Sequence, residues 1–135
     1  MEFLSVSPSL HDRISLSTIL TGWTTYAAET LSTAKHLLQN EALKIVVCER
    51  DLAPYTWRDL LAELAWIPRL PLLVLTSADV DDFFWSEALN LGAYDVLEKP
   101  FEPAEVTRTL NMAWLHWKYH NAPIKPKVRS AAGTG

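Results

Sequence analysis

The groups able to do chemistry in this 135-residue chain gather in four short stretches: Ser7-Pro8-Ser9, Glu49-Arg50-Asp51, Thr76-Ser77 and Lys99-Pro100. A carboxylate such as Glu49 or Asp51 can ligate a hard cation, pair with an ammonium, or act as a nucleophile. Lys99 can hold an anion, and the Thr76 hydroxyl can donate or accept a hydrogen bond. Other chemistries find little footing. Among His11, His36, His116 and His120, only the last two are four residues apart, and they lack nearby acids, so they read as helix-end cations rather than metal ligands. Cys48 sits in a β-branched run and reads as a small buried hydrophobe. The chain contains no phosphate-binding glycine loop, dinucleotide fingerprint, or Ser-His-Asp or Cys-His arrangement, so no small-molecule substrate is expected.

Alternating strand-like and helix-like segments must position these groups. Glu2–Val6 is a short β-rich run, and Ser9 or Ser7 can cap a following helix carrying Leu16, Ile19 and Leu20. Gly22 is expected to end that helix. Thr24–Ala28 reads as the second strand, and a second helix starting near Ser32 carries Ala34, Leu37 and Leu38. The third strand is Lys44–Cys48. Trp57, Leu60, Leu61 and Leu64 mark a third helix that ends before Pro68. Leu72–Leu75 is the fourth strand, and Asp79–Leu91 the fourth helix, with acids at its start and Gly92 just past its end. Tyr94–Leu97 is the fifth strand, and a fifth helix runs from Pro103 to about His120.

This (βα)5 pattern predicts an α/β fold, a doubly wound five-stranded parallel sheet of flavodoxin-like topology with strand order 2-1-3-4-5. The third and fourth strands are apolar throughout, as strands covered on both faces are. In such sheets ligands meet the C-terminal ends of the strands, where the four stretches fall. A flavin is not expected there, because Ser7-Pro8-Ser9 lacks the glycine and extra hydroxyls that wrap a phosphate.

Composition narrows the class. Residues 1–120 read as one domain, and residues 121–135 as a flexible basic tail carrying Lys125, Lys127 and Arg129. All 16 acidic side chains lie in the domain, whose surplus of negative charge argues against a nucleic-acid partner. A single Cys fits a reducing cytoplasm, and neither a secretory leader nor a membrane span is expected.

From Val74 to Phe101 the chain reads V-L-T-S, fourteen residues, then G-A-Y-D-V-L-E-K-P-F. In order, spacing and residue type this resembles the receiver domain of two-component response regulators, and the resemblance covers about residues 2–118. It implies a Thr76 that senses a phosphoryl group, a Lys99 that contacts it, and a cis Lys99-Pro100 peptide. It also implies an acidic pair after the first strand and an Asp after the third, which together hold Mg²⁺ and accept the phosphoryl group. Here the acidic-pair positions are Ser7 and Pro8, and Asp12 lies more than a helical turn further on, too far to substitute. The phosphoacceptor position falls on Glu49 or, in the other register, Arg50. Glu49 is preferred because it shares a strand face with Ile45 and Val47. Asp51, two residues beyond, is the alternative acceptor. The resemblance therefore implies a degenerate receiver without Mg²⁺, acting without phosphorylation, in which Glu49 either mimics a phosphorylated Asp or merely pairs with Lys99. A phosphoacceptor response regulator using an atypical acidic residue is the alternative.

The family's switch aromatic, three residues before Lys99, is Val96 here, with Tyr94 expected on the same strand face. Phe84, Ala88 and Leu91 on the fourth helix should face the sheet, as should Val106, Leu110, Ala113 and Trp117 on the fifth. Trp85, Leu89, Val96 and Met112 are expected to form an apolar surface for a protein partner or a second copy, on the face made by the fourth helix, fifth strand and fifth helix. Alternatively, Trp85 folds over the core edge. Trp57, Trp66 and Trp114 read as packing residues, and Trp23 has no assigned role.

Overall fold

The structure, a computed structural model, describes residues 1–121. The expected tail lies outside them, apart from Asn121. The elements in chain order are β1 (Glu2–Val6), α1 (Leu10–Ile19), β2 (Thr24–Ala28), α2 (Leu31–Asn40), β3 (Ile45–Glu49), β4 (Asp51–Leu52), β5 (Tyr55–Thr56), α3 (Trp57–Leu64), β6 (Leu72–Ser77), α4 (Asp82–Leu91), β7 (Asp95–Glu98) and α5 (Pro103–Asn121). Five strands form one parallel sheet in the order β2-β1-β3-β6-β7, the doubly wound topology expected from the alternation. No helix among the described residues is long and apolar enough to cross a membrane.

The pleat sorts side chains into two cores. Leu4, Val6, Val46, Cys48, Leu73, Leu75 and Val96 pack with α2, α3 and α4, where Trp57 and Phe84 meet edge to face at 6.2 Å. Phe3, Ile45, Val47, Val74 and Leu97 pack on the other face with Leu16 and Leu20 of the α1 segment and Val106, Leu110 and Ala113 of α5. Trp23, without an assigned role in the sequence, belongs to this second core, edge to face with both Phe3 and Trp114.

Local chemistry sets the helix starts. Ser9 caps α1 by accepting from the Asp12 N–H, and Thr30 caps α2. Thr56 and Asp59 form a reciprocal capping box on α3. The fourth helix begins at Asp82 rather than Asp79, because the Asp79 N–H bonds to the Ser77 hydroxyl in a turn and Asp81 provides the cap. Gly92 ends α4 in the left-handed conformation (φ 118°), which glycine adopts without steric cost. Gly22 does not do this for α1, which stops at Ile19 with Leu20 as its cap. The short hairpin β4–β5 was not visible as strand pattern; buried Leu52 anchors it to the core. Ala53-Pro54 and Lys99-Pro100 are both cis, the second as the resemblance implied.

Four further expectations fail for identifiable reasons. Val96 is buried against α4, because its pleat position faces the first core, so it contributes nothing to an exposed surface. Tyr94 precedes β7 and does not share that face; it packs with the second core, its ring 5.3 Å from that of His116. Leu91, at the last position of α4, is exposed rather than sheet-facing. Trp66, two residues past the end of α3, is 85% exposed rather than packed.

Candidate functional site

One consequence of the pleat assembles the site. Ser7 continues the Phe3–Ser5 face of β1, Glu49 the Ile45–Val47 face of β3, Thr76 the Val74 face of β6, and Lys99 the Leu97 face of β7. All four emerge at the C-terminal edge of the sheet on the side covered by α1. Glu49 and Thr76 are direct register partners, as are Thr76 and Leu97.

Three side chains and one hydroxyl then connect. The Lys99 ammonium lies 2.7 Å from Asp12 Oδ2 and 2.9 Å from Glu49 Oε1. The Thr76 hydroxyl donates to the same Glu49 oxygen at 2.8 Å. These charges are largely removed from solvent: side-chain exposure is 20% for Lys99 and 12% for each carboxylate. Burial alone pulls the Lys99 pKa down, but hydrogen bonds to Asp12 and Glu49 and their negative charges outweigh it, leaving the pKa above its ordinary value. Lys99 therefore carries its charge at neutral pH.

Asp12 is the residue that sequence reasoning placed out of reach. It is the third residue of α1 after the Ser9 cap, and helical side chains lean back toward the N-terminus. That lean carries its carboxylate over the strand ends, where the positive end of the helix dipole also favours it. The signal was present in the Ser9–Asp12 capping spacing.

The other residues take distinct places. Ser7 is buried; its hydroxyl accepts from the Ser9 N–H, and its carbonyl accepts from the Arg13 guanidinium of α1. Pro8 and Pro100 are exposed. Arg50 lies over the Phe84 ring, 4.2 Å from its centroid, and donates to the Asp79 carbonyl, so Glu49 is the residue that meets Lys99. Asp51 is exposed on the β4–β5 hairpin. Among the described residues, no group of three or more His, Cys, Asp or Glu is placed to hold a metal ion. Cys48 is fully buried, and desolvation, with a smaller contribution from the Glu49 charge, pushes its thiol pKa well up. On α4 and α5, Trp85 is 46% exposed, Met112 51% and Leu89 partly buried, so Trp85 does not fold down over the core.

No protein-family model matches the chain, and no curated protein sequence matches it. Solved structures do. A signal receiver domain from Vibrio parahaemolyticus superposes with a TM-score of 0.82 at 17% identity, covering 89% of this chain and 94% of its own. The signal receiver domain of an HD domain-containing protein from Pseudomonas fluorescens Pf-5 gives 0.79 at 24% identity, covering 87% and 97%. The beryllofluoride-activated NtrC4 receiver domain, solved as a dimer, gives 0.79 at 20% identity, covering 86% and 98%. The chain has the fold of response-regulator receiver domains.

Proposed function

We propose that this chain is a receiver-like signalling module that acts through protein–protein interaction, without phosphoryl transfer and without turning over a substrate. The observation that carries this reading is the Lys99 ammonium held between Asp12 and Glu49 while Thr76 donates to Glu49. In a phosphorylated receiver, lysine and threonine would turn to the phosphoryl oxygens. Here a carboxylate built into the chain already receives both, which supports a fixed arrangement rather than a switched one.

The donor set also supports independence from Mg²⁺. That ion demands near-octahedral oxygen ligands and relies on carboxylates after the first and third strands of a receiver. At the corresponding positions of β1, the Ser7 hydroxyl is taken by the Ser9 N–H and the Pro8 side chain offers no oxygen. The carboxylates of Asp12 and Glu49 are both engaged by one ammonium. These residues, as arranged, do not fit Mg²⁺. The docking surface of this reading is the outer side of α4 and α5, with Trp85 and Met112 exposed and Leu89 half-covered.

Incubation with acetyl phosphate and Mg²⁺, followed by intact-protein mass spectrometry, tests the proposal. The expected result is an unchanged mass. An adduct of one phosphoryl group that neutral hydroxylamine removes, as it does an acyl phosphate, whether on Asp51 or elsewhere, would replace this reading with that of a phosphoacceptor response regulator.

A further inference from the structure

We propose that the cleft at the N-terminal edge of the sheet, lined by Trp117, Lys44 and Arg69, binds a segment of a protein partner that carries carboxylates beside apolar side chains. The proposal rests on the reading of the chain as a protein-binding module. It gives that module a second docking face, at the opposite end of the strands from Lys99 and apart from the outer side of α4 and α5.

Topology brings these residues together. Helices of a doubly wound sheet run back against the strands, so the last turns of α5 arrive where β3 and β6 begin. Lys44 stands just before β3, and Arg69 lies in the connection from α3 to β6. The Leu72 N–H joins the two connections by donating to the Lys44 carbonyl at 2.9 Å. The Lys44 ammonium lies 5.0 Å from the ring centroid of Trp114 and 5.1 Å from that of Trp117. The Arg69 guanidinium lies 4.5 Å from the Trp117 centroid. The indoles thus hold both cations in place by attraction to their faces.

Two positive charges over one ring lie within a Debye length of each other, about 10 Å at 0.1 M salt, and repel. Among the described residues Lys44 has no ion-pair partner, and Glu41, the one acid lining the cleft, is exposed. A surplus positive charge therefore stands on a domain that is acidic overall, and a carboxylate complements it. The residues beyond Asn121 include Lys125, Lys127 and Arg129 and no acidic side chain, so their charge does not.

Shape favours an extended peptide over a compact solute. The cleft holds about 320 Å³ and has Leu38, Ile67 and Pro68 in its lining. The same three residues line an adjoining hollow of about 300 Å³ between α2 and α3, together with the almost fully exposed Trp66. Lys35 and Glu63 in that hollow pair with each other at 3.6 Å, which leaves it without surplus charge. One end of the path thus suits a carboxylate and the other an apolar side chain, with tryptophan the residue type that most often anchors such contacts.

The test titrates the full chain with the acetylated, amidated peptide Asp-Glu-Phe-Asp-Leu and with its amide counterpart Asn-Gln-Phe-Asn-Leu, read by NMR at the indole N–H groups. The acidic peptide is expected to shift Trp117 and Trp66 saturably, at least about tenfold more tightly than the amide peptide, and more weakly in 0.5 M salt. Lys44→Met and Arg69→Gln should each weaken it about tenfold, whereas Trp85→Ala should leave it unchanged. Arg69 is exposed, so its variant keeps the fold if Lys44→Met does not. Equal binding of the two peptides, full affinity in Arg69→Gln, or loss of affinity in Trp85→Ala would overturn the proposal. So would contacts from residues 122–135 to the Trp117 indole in the peptide-free chain, which make the tail the occupant, or self-association that Arg69→Gln abolishes, which makes it a second copy. A phosphoryl adduct on wild type would defeat the proposed function and leave the cleft to be judged by these titrations.

Discussion

Glu49 and Thr76 face each other across the β3–β6 register, and the threonine hydroxyl donates to Glu49 Oε1 at 2.8 Å. The same oxygen lies 2.9 Å from the Lys99 ammonium, whose other carboxylate partner is Asp12 at 2.7 Å. The threonine hydroxyl and the lysine ammonium are thereby both committed to a carboxylate of the chain itself.

The first prediction concerns pH. The pKa of Lys99 is raised in the folded state, so its stabilising contribution is complete below the unfolded value of about 10.4 and is lost as pH rises through the folded value. At pH 7, Lys99→Met should lose about 1–3 kcal/mol, the cost of leaving buried partners unmet. That deficit should shrink as pH climbs beyond about 10.4. Urea unfolding of both proteins across neutral and alkaline pH measures it, and a deficit independent of pH would argue against the charge as its origin.

A second prediction follows from the entry of α1. Ser9→Ala removes the acceptor of the Asp12 N–H and should cost about 1 kcal/mol. Because the cap also sets the first turn that carries Asp12, the Lys99 amide and its neighbours should shift in NMR spectra. A shift confined to α1 would mean that cap and site are uncoupled.

How much of this was legible in the sequence depends on the range of the interaction. Strand and helix order followed from periodicity, because burial on both sheet faces leaves Ile45–Cys48 and Leu72–Leu75 apolar throughout. The face shared by Ile45, Val47 and Glu49 was also readable, since the pleat has a period of two. The place of Asp12 is not legible from its separation along the chain, because a helix folded back over the sheet brings its first turn above the strand ends. The burial of Val96 follows from its pleat parity, which turns it toward the first core while Leu97 faces the second. The β4–β5 hairpin is not legible in the sequence, because two-residue strands carry no periodic signal.

A third prediction separates two neighbours on α4. Phe84 is 1% exposed and stacks edge-on with Trp57, so Phe84→Ala should cost about 3–5 kcal/mol. Trp85 is 46% exposed, and Trp85→Ala should change stability by no more than about 0.5 kcal/mol. Chemical denaturation checks both. With the fold intact, Trp85→Ala should also weaken self-association or partner binding through the α4 and α5 surface, as read by sedimentation or co-purification. If neither changes, that surface is wrongly assigned.

A fourth prediction concerns Cys48. Its burial and raised thiol pKa leave almost no thiolate at neutral pH. Disulfide-exchange reagents should titrate one thiol only after denaturant is added. Rapid reaction in the native state would mean that the centre of the sheet opens readily.

The central claim is that the pocket is filled by the chain's own charges and does not respond to a phosphoryl group. The most direct measurement is an amide NMR titration of the full chain with Mg²⁺ and beryllofluoride, an acyl-phosphate mimic. Unchanged resonances for Asp12, Glu49, Thr76 and Lys99 are predicted at saturating concentrations of both. A saturable, Mg²⁺-dependent shift that spreads from Glu49 or Asp51 to Thr76 and α4 would contradict the account.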